Sequence, residues 1–331
     1  MQLDTIKPQH IGFLLIPEFS MFSFSSLIEP LRMANRVSRK TLYEWSIYTQ
    51  NDQAVYASNG LPFQPSKSLE NCQQLDVIYV VAGLNVKLQD TQLAVNWLKK
   101  LARCKIQMGA TSTGTELLAN AGLLTNKTCT IHWENRESLL EMHPELTVTS
   151  ELYEIDGSTH TCSGGLAGLD MMLELIKTTH GLAVAQQVSE QCVHSNMRAA
   201  SEEQRIQLSS KHKTQHPRLL KALELMQNHT EEILTCEEIS QKVSLSTRQL
   251  ERLFKVYLEL TPSAHYINLR LEKAQHLLEQ SDMSILQIST ACGFNSTSYF
   301  ARCYQKRYQH SPSMERKPQK YPRAPSKKPT I

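Results

Sequence analysis

Short apolar runs and helical stripes alternate along the first half of the chain. Ile11-Gly12-Phe13-Leu14-Leu15-Ile16, Asp76 to Gly83 and Lys105 to Ala110 are near-continuous apolar runs. Runs this short predict strands buried on both faces, the habit of a mainly parallel sheet. Between them, Ser23 to Asn35 sets Phe24, Leu27, Ile28, Leu31 and Ala34 at helical spacing. Thr91 to Leu101 does the same with Leu93, Val95, Trp97, Leu98 and Leu101. Such spacing predicts helices that bury one face. Leu146 to Ile155 and Thr159 to Ser163 predict later strands. Gly164-Gly165 then opens a helix through Lys177, and another helix spans Leu182 to Asn196. The β-α-β-α order predicts a layered α/β domain over residues 1–197.

Residues 198–217 are polar and without periodicity, which predicts a linker. Beyond Pro217 every pattern is helical, and two segments echo each other. Glu238 to Phe254 and Gln287 to Tyr304 match at Ile239/Ile288 and Ser240/Ser289, an offset of 49. They match again at Ser246/Ser296, Leu250/Phe300, Arg252/Arg302 and Phe254/Tyr304, an offset of 50. Each copy reads as helix, tight turn, helix, with Ser246 or Ser296 as the N-cap of the second helix. Leu250, Leu253, Phe254 and Tyr257 form one apolar stripe, as do Phe300, Cys303 and Tyr304. Thr247, Arg248, Glu251, Arg252 and Lys255 fall off the first stripe, and Thr297, Ser298, Ala301 and Arg302 off the second. Short or basic side chains at those places suit base edges and phosphates in a major groove.

A single helix, Pro262 to Glu279, separates the copies, with Ile267, Leu271, Ala274 and Leu278 along one face. Its 18 residues at ~1.5 Å each span roughly 27 Å. That is close to the ~34 Å between successive major grooves on one side of DNA. The fold class expected is therefore an α/β sandwich, mainly parallel sheet in flavodoxin-like layers, followed by an all-α domain with two helix-turn-helix motifs. The bland alternative is a helical domain whose two turns merely pack on each other.

Charge favours the first reading. The formal net charge of the 331 residues is +3, but residues 1–210 hold 16 Lys and Arg against 21 Asp and Glu, and residues 211–331 hold 19 against 11. A basic last third suits a polyanion partner. Lys317 to Ile331 contains four prolines and five Lys or Arg, which predicts a disordered basic tail. The eight cysteines, Cys72 to Cys303, form no C-x-x-C pair and show no zinc-finger spacing, so buried, reduced thiols are expected and no metal or cofactor. No apolar window reaches ~18 residues and no basic-then-apolar leader opens the chain, so a soluble cytoplasmic protein away from membranes is expected.

Residues 218–316 resemble the DNA-binding domain of AraC-type transcription regulators. The resemblance is carried by Ser246-x-Arg-Gln-Leu-Glu-Arg-Leu-Phe254, Leu269-Arg-Leu-Glu-Lys-Ala-Gln-x-Leu-Leu278, Ala291-Cys-Gly-Phe294, Ser298-x-Phe300 and Ser311-Pro312. It implies DNA contacts at Arg248, Glu251 and Arg252, and at Thr297, Ser298, Ala301 and Arg302.

In the first domain, Ile106 to Thr111 runs into Ser112 and then directly into a helix, with Thr130-Ile131-His132-Trp133 downstream. A sharp strand-to-helix turn exposes one side chain at a helix start, and Ser112 with His132 suggests nucleophile and base. This domain resembles the class I glutamine amidotransferase-like superfamily, which includes PfpI-type proteases. Enzymes of that superfamily carry cysteine at the elbow, and Ser112 replaces it, while His132 aligns with the family histidine. Serine is a far weaker nucleophile than a thiolate, so a retired catalytic site that holds a ligand is the preferred reading. The superfamily's acidic partner near the elbow finds only Ser25, Ser26, Glu18 and Glu29 in the corresponding region.

Leu27 to Asn35, Cys129 to Asn135, Ser150 to Asp156 and Thr161 to Leu173 look close to one subgroup of such regulators. That subgroup controls catabolism of quaternary ammonium compounds such as glycine betaine and carnitine, and relatives sense amino acids such as arginine. The resemblance implies a regulator, expected to be an activator, with promoter DNA, a small effector, RNA polymerase and a second copy bound through the N-terminal domain as partners. Candidate effector contacts are Ser112, Thr113, His132 and Trp133, with Tyr43 and Trp45 as further aromatic faces and backbone N–H groups after Ser112 as donors. The competing reading is an amidohydrolase- or amidotransferase-like enzyme using Ser112 and His132, fused to a DNA-binding module. A third is a dimerisation domain with no ligand.

Overall fold

Strands that are apolar at every position need cover on both faces, and the first half of the chain supplies it. In the computed structural model, residues 7–71, 75–83, 85–204, 214 and 216–315 are described. They fall into two compact units, one ending at Gln204 and the other taking in Thr214 onward.

The first unit runs β1 (Gln9–Leu15), α1 (Met21–Ser38), β2 (Tyr43–Tyr48), a small hairpin β3 (Val55–Tyr56) and β4 (Pro62–Phe63), then β5 (Val77–Val81) and α2 (Gln92–Arg103). It continues with β6 (Gln107–Thr111), α3 (Gly114–Asn120), β7 (Thr128–Thr130), α4 (Arg136–Met142), β8 (Thr147–Thr149), β9 (Tyr153–Asp156), β10 (Thr159–Cys162), α5 (Ala167–His180) and α6 (Leu182–Gln191). Six strands form one sheet in the order β2-β1-β5-β6-β10-β9, parallel except for the β9–β10 pair.

Alternate residues of a strand point to opposite faces. Phe13, Leu15, Tyr79 and Val81 therefore join α1, α5 and α6 in one core, with Leu27, Leu31, Met171 and Ile176. Leu14, Ile78, Val80, Met108 and Ala110 join α2 and α3 in the other, with Leu98, Leu101, Leu117 and Leu118. Across the middle of the first face runs the row Phe13, Tyr79, Gly109, His160, in register on four strands. Tyr79 lies over Gly109, and its hydroxyl reaches His160 Nδ1 at 3.1 Å.

Several elements differ from their expectation. β2 is an edge strand that the apolar pattern does not mark. Leu93, placed on the buried stripe of α2, is 57% exposed, and Ala94 takes the core position. The strand expected over Leu146–Ile155 is two short strands separated by Ser150 to Leu152. The helix expected to reach Asn196 ends at Gln191, and Val193 follows with φ 52°. Residues 194–204 then run along the first unit as a strap; Leu152 N donates to Ala200 O at 3.0 Å. The rest of the expected linker, 205–213 and 215, and the basic tail 317–331 lie outside the described residues.

The second unit is helical: Pro217–Asn228, Cys236–Lys242, Thr247–Leu258, Pro262–Gln280, Ile285–Ala291, Thr297–Tyr308 and Pro312–Glu315. Its boundaries follow from caps. Thr235/Glu238, Ser246/Gln249 and Ser284/Gln287 are complete capping boxes, and Thr261 and Ser296 cap through their hydroxyls. Two cores share the long helix. Tyr266 belongs to the first, with Leu250 and Phe254, and Leu271, Ala274, Leu277 and Leu278 belong to the second, with Phe300 and Tyr304.

Candidate functional sites

Both helix-turn-helix copies in the second unit end in a twelve-residue helix, Thr247–Leu258 and Thr297–Tyr308. Leu250, Phe254, Phe300 and Tyr304 are fully buried, which fixes the opposite faces outward. Arg248, Glu251, Arg252 and Lys255 are exposed on the first helix, and Ser298 and Arg302 on the second. Thr247, Thr297 and Ala301 are half-buried. Tyr257 departs from the expected stripe: it is 42% exposed and its ring sits 5.8 Å from that of His216. At ~1.5 Å per residue the 19-residue helix between the copies is about 28 Å long.

The turn of each copy has a left-handed residue at the repeat position, Ser244 (φ 56°) in the first and Gly293 (φ 69°) in the second. The extra residue of the second copy is therefore Asn295, exposed just ahead of the Ser296 cap. Gly293 has a second constraint, because an added Cβ would lie 2.7 Å from Glu231 O. Arg270, from the long helix, fastens this turn. Its Nε and Nη2 donate to Cys292 O and Gly293 O, each at 2.7 Å, and its guanidinium lies 4.0 Å over the Phe294 ring. The sequence pattern places Arg270 on a helix without disclosing this clamp. Tyr299, 45% exposed, is a further side chain on the second helix that the pattern left unassigned.

In the first unit, β6 leads into Ser112 at φ 57°, and α3 starts two residues later. A left-handed serine between strand and helix is the strained elbow the sequence predicts. The elbow is closed: Ser112 is 8% and Thr113 3% exposed. Ser112 N donates to Cys162 O at 2.9 Å, and Thr113 Oγ1 donates to Gly83 O at 2.7 Å. The Ser112 amide is thus committed within the protein. Thr111 Oγ1 is buried beside it without a hydrogen-bond partner.

Glu18, not Glu29, sits near the elbow. Its backbone touches Gly83, and its carboxylate accepts from Asn85 Nδ2 at 2.9 Å. Glu29 instead pairs with Arg32 on α1. His132 follows β7, whose Thr130 O accepts from Thr115 Oγ1 at 2.9 Å, so the histidine segment is tied to the first turn after the elbow. The rings of His132 and Trp133 are 5.5 Å apart, and His132 Nδ1 lies 3.8 Å from Glu134. Tyr43 and Trp45 do not join this group. They stand on β2, three strands from β6, near the opposite end of the sheet. Tyr43 is buried against the His180 ring.

Cys162, on the strand beside the elbow, is no substitute nucleophile, because burial pushes its thiol up to about 11. Burial likewise raises Cys129 to about 12. Among the described residues Cys104 is an exposed free thiol, unlike the buried cysteines expected. A cavity of about 550 Å³ in this unit lies away from the elbow, at the start of β1, β5 and β6 between Lys7, Asp76 and Lys105. Among the described residues no cluster of metal-ligating side chains is present, and no helix is long and apolar enough to cross a membrane.

Comparison with known proteins bears on both units. Residues 11–178 match the DJ-1/PfpI family, and residues 239–318 match a helix-turn-helix domain family. The HTH-type transcriptional regulator CdhR of Pseudomonas aeruginosa is 43% identical over 93% of this chain and 91% of its own. The HTH-type transcriptional regulator GbdR of the same species is 38% identical over 95% of this chain and 85% of its own. A crystal structure of an AraC family transcriptional regulator from Pseudomonas putida superposes with a TM-score of 0.53 at 26% identity, covering 56% of this chain and all of that one. With two full-length relatives of this kind, the chain belongs to the HTH-type transcriptional regulators that join a DJ-1/PfpI domain to an AraC-type DNA-binding domain.

Proposed function

We propose that this DNA-binding transcription regulator is an activator whose N-terminal domain senses a small metabolite and performs no catalysis. Both reading helices enter successive major grooves on one side of the duplex. Arg248, Glu251, Arg252 and Lys255, and Thr297, Ser298, Ala301 and Arg302, make the contacts. The observation that carries this is positional: Arg252 and Arg302 occupy the same place in two capped helices and both are exposed. The chain acts as a homodimer through its first domain, in the cytoplasm, and engages RNA polymerase when the effector is bound.

The effector class follows from the subgroup resemblance, a quaternary ammonium compound such as glycine betaine or carnitine. Trp133, half-buried beside His132, offers a face for such a cation. Because Ser112 and Thr113 are covered, occupancy requires the elbow to open, as suits a sensor. A thermal-shift series on the full chain with glycine betaine, carnitine, choline and arginine tests this. A ligand at 100 times its Kd raises stability by ~2.7 kcal/mol. No shift with any of them contradicts the effector class, and hydrolysis of small amides that Ser112→Ala abolishes contradicts the non-catalytic reading.

A further inference from the structure

We infer that residues 194–204 are a coupling strap, which ties the Ser112 elbow to the segment by which the chain leaves its first unit. The elbow's role as an effector site rests on the reading above, but the strap itself rests on contacts within the unit. Its first anchor is Asp170 on α5, whose side chain is wholly removed from water. Asp170 Oδ1 accepts from His194 Nε2 at 2.8 Å and from Arg198 N at 2.9 Å. Oδ2 accepts from Arg198 Nε at 2.9 Å and Nη2 at 2.6 Å. A carboxylate buried this far depends on those donors, because a lone buried charge is strongly disfavoured. The second anchor is Gln204, whose Nε2 lies 2.9 Å from Thr130 Oγ1, 3.0 Å from Ile131 O and 2.9 Å from Glu151 O. Gln204 Oε1 is buried without a partner, which makes this the weaker anchor.

Each anchor stands close to the elbow. Thr130, under Gln204, accepts at its carbonyl from Thr115, three residues past Ser112, and runs directly into His132-Trp133. Asp170 stands in the first turn of α5, which is entered through Gly164-Gly165. Gly165 N donates to Ser23 Oγ at 3.0 Å. Gly164, at φ 98°, approaches so closely that an added Cβ would lie 3.0 Å from Ser112 Cβ. A side chain displaced at Ser112 therefore pushes on the start of α5, and one displaced at His132 pushes on Thr130. Close-packed interiors switch between discrete arrangements and do not deform smoothly, so such pushes reach the strap. Coupling of this kind is reciprocal: freeing the strap must loosen the elbow.

Hydrogen–deuterium exchange on the full chain without any ligand reads this directly. Gln204→Ala removes a half-buried amide and is expected to leave the fold intact; Arg198→Ala takes away two of the four donors to Asp170 and so weakens the other anchor. In each variant, peptides over 194–204 are expected to exchange at least tenfold faster, and peptides over 111–118 and 128–132 at least threefold faster. Gly164→Ala, acting from the elbow side, is expected to speed exchange over 194–204. Lys177→Ala, which breaks an exposed pair with Glu174 on the same helix, is expected to change none of them. Faster exchange confined to 194–204 in both strap variants, with the elbow at wild-type rates, overturns the coupling. Because no effector is added, failure of the effector reading and failure of the strap are told apart.

Discussion

An added methyl group at Gly109 would lie 2.2 Å from the Tyr79 ring, so the centre of the sheet is held by one missing side chain. With it, Tyr79 reaches across to His160; without it, the ring must leave. Gly109→Ala is expected to lower stability by ~1–3 kcal/mol, the usual cost of overpacking, read from a denaturant melt. His160 also sets a pH dependence. Burial holds its pKa below 6.5 in the folded state, and burial does the same to His10 and His180. The unfolded chain then binds more protons in the window below 6.5, so stability is full above it and declines as pH falls through it. The melting temperature is expected to drop between pH 7.5 and 5.5, with a shallower slope in His160→Gln; equal slopes would contradict the assignment. Little at this scale was legible beforehand. Ser112 was, because strand, turn and helix meet there in one stretch of chain. Gly109, Asp170 and Arg270 were not, because their partners Tyr79, Arg198 and Gly293 are brought to them by the fold.

Elements were legible where local chemistry alone decides them. The hydroxyls of Ser246 and Ser296 cap two helices at the places the sequence marks, because a cap acts within three residues. Ser246→Ala is expected to cost ~1 kcal/mol of stability, measured by thermal melting, and to loosen the start of the helix Thr247–Leu258, with weaker DNA binding as the second readout. The buried strands β1, β5 and β6 declare themselves as apolar runs for the same local reason. β2 does not. Tyr43 to Tyr48 mixes buried, half-buried and exposed positions, as an edge strand partly covered by Ser66 does. The strap is the clearest omission. Its polar residues look like linker, and only a buried carboxylate on α5 and carbonyls near β7 make them part of the unit.

At the scale of the whole chain, organisation was legible because it is written twice. A repeat at an offset of 49 to 50 and a charge that turns from acidic to basic both survive without any knowledge of packing. What was not legible is that the elbow is closed, since closure depends on two distant segments, Gly83 just past β5 and Cys162 with Gly164 at the end of β10. The basic second unit leads to a salt-dependent affinity: log K should fall linearly with log salt. Lys255→Ala is expected to reduce that slope by ~1 across all sequences, whereas Arg252→Ala relaxes preference at particular base pairs. The most direct test is a footprint of the full chain on a duplex selected from random sequence at moderate salt. For each bound copy of the chain, two protected major-groove tracts about one helical turn apart are expected, with Arg252→Ala and Arg302→Ala each weakening a different tract by ~1–3 kcal/mol. A single tract, no preference over unrelated duplex, or two variants that bind like the wild type would contradict the account.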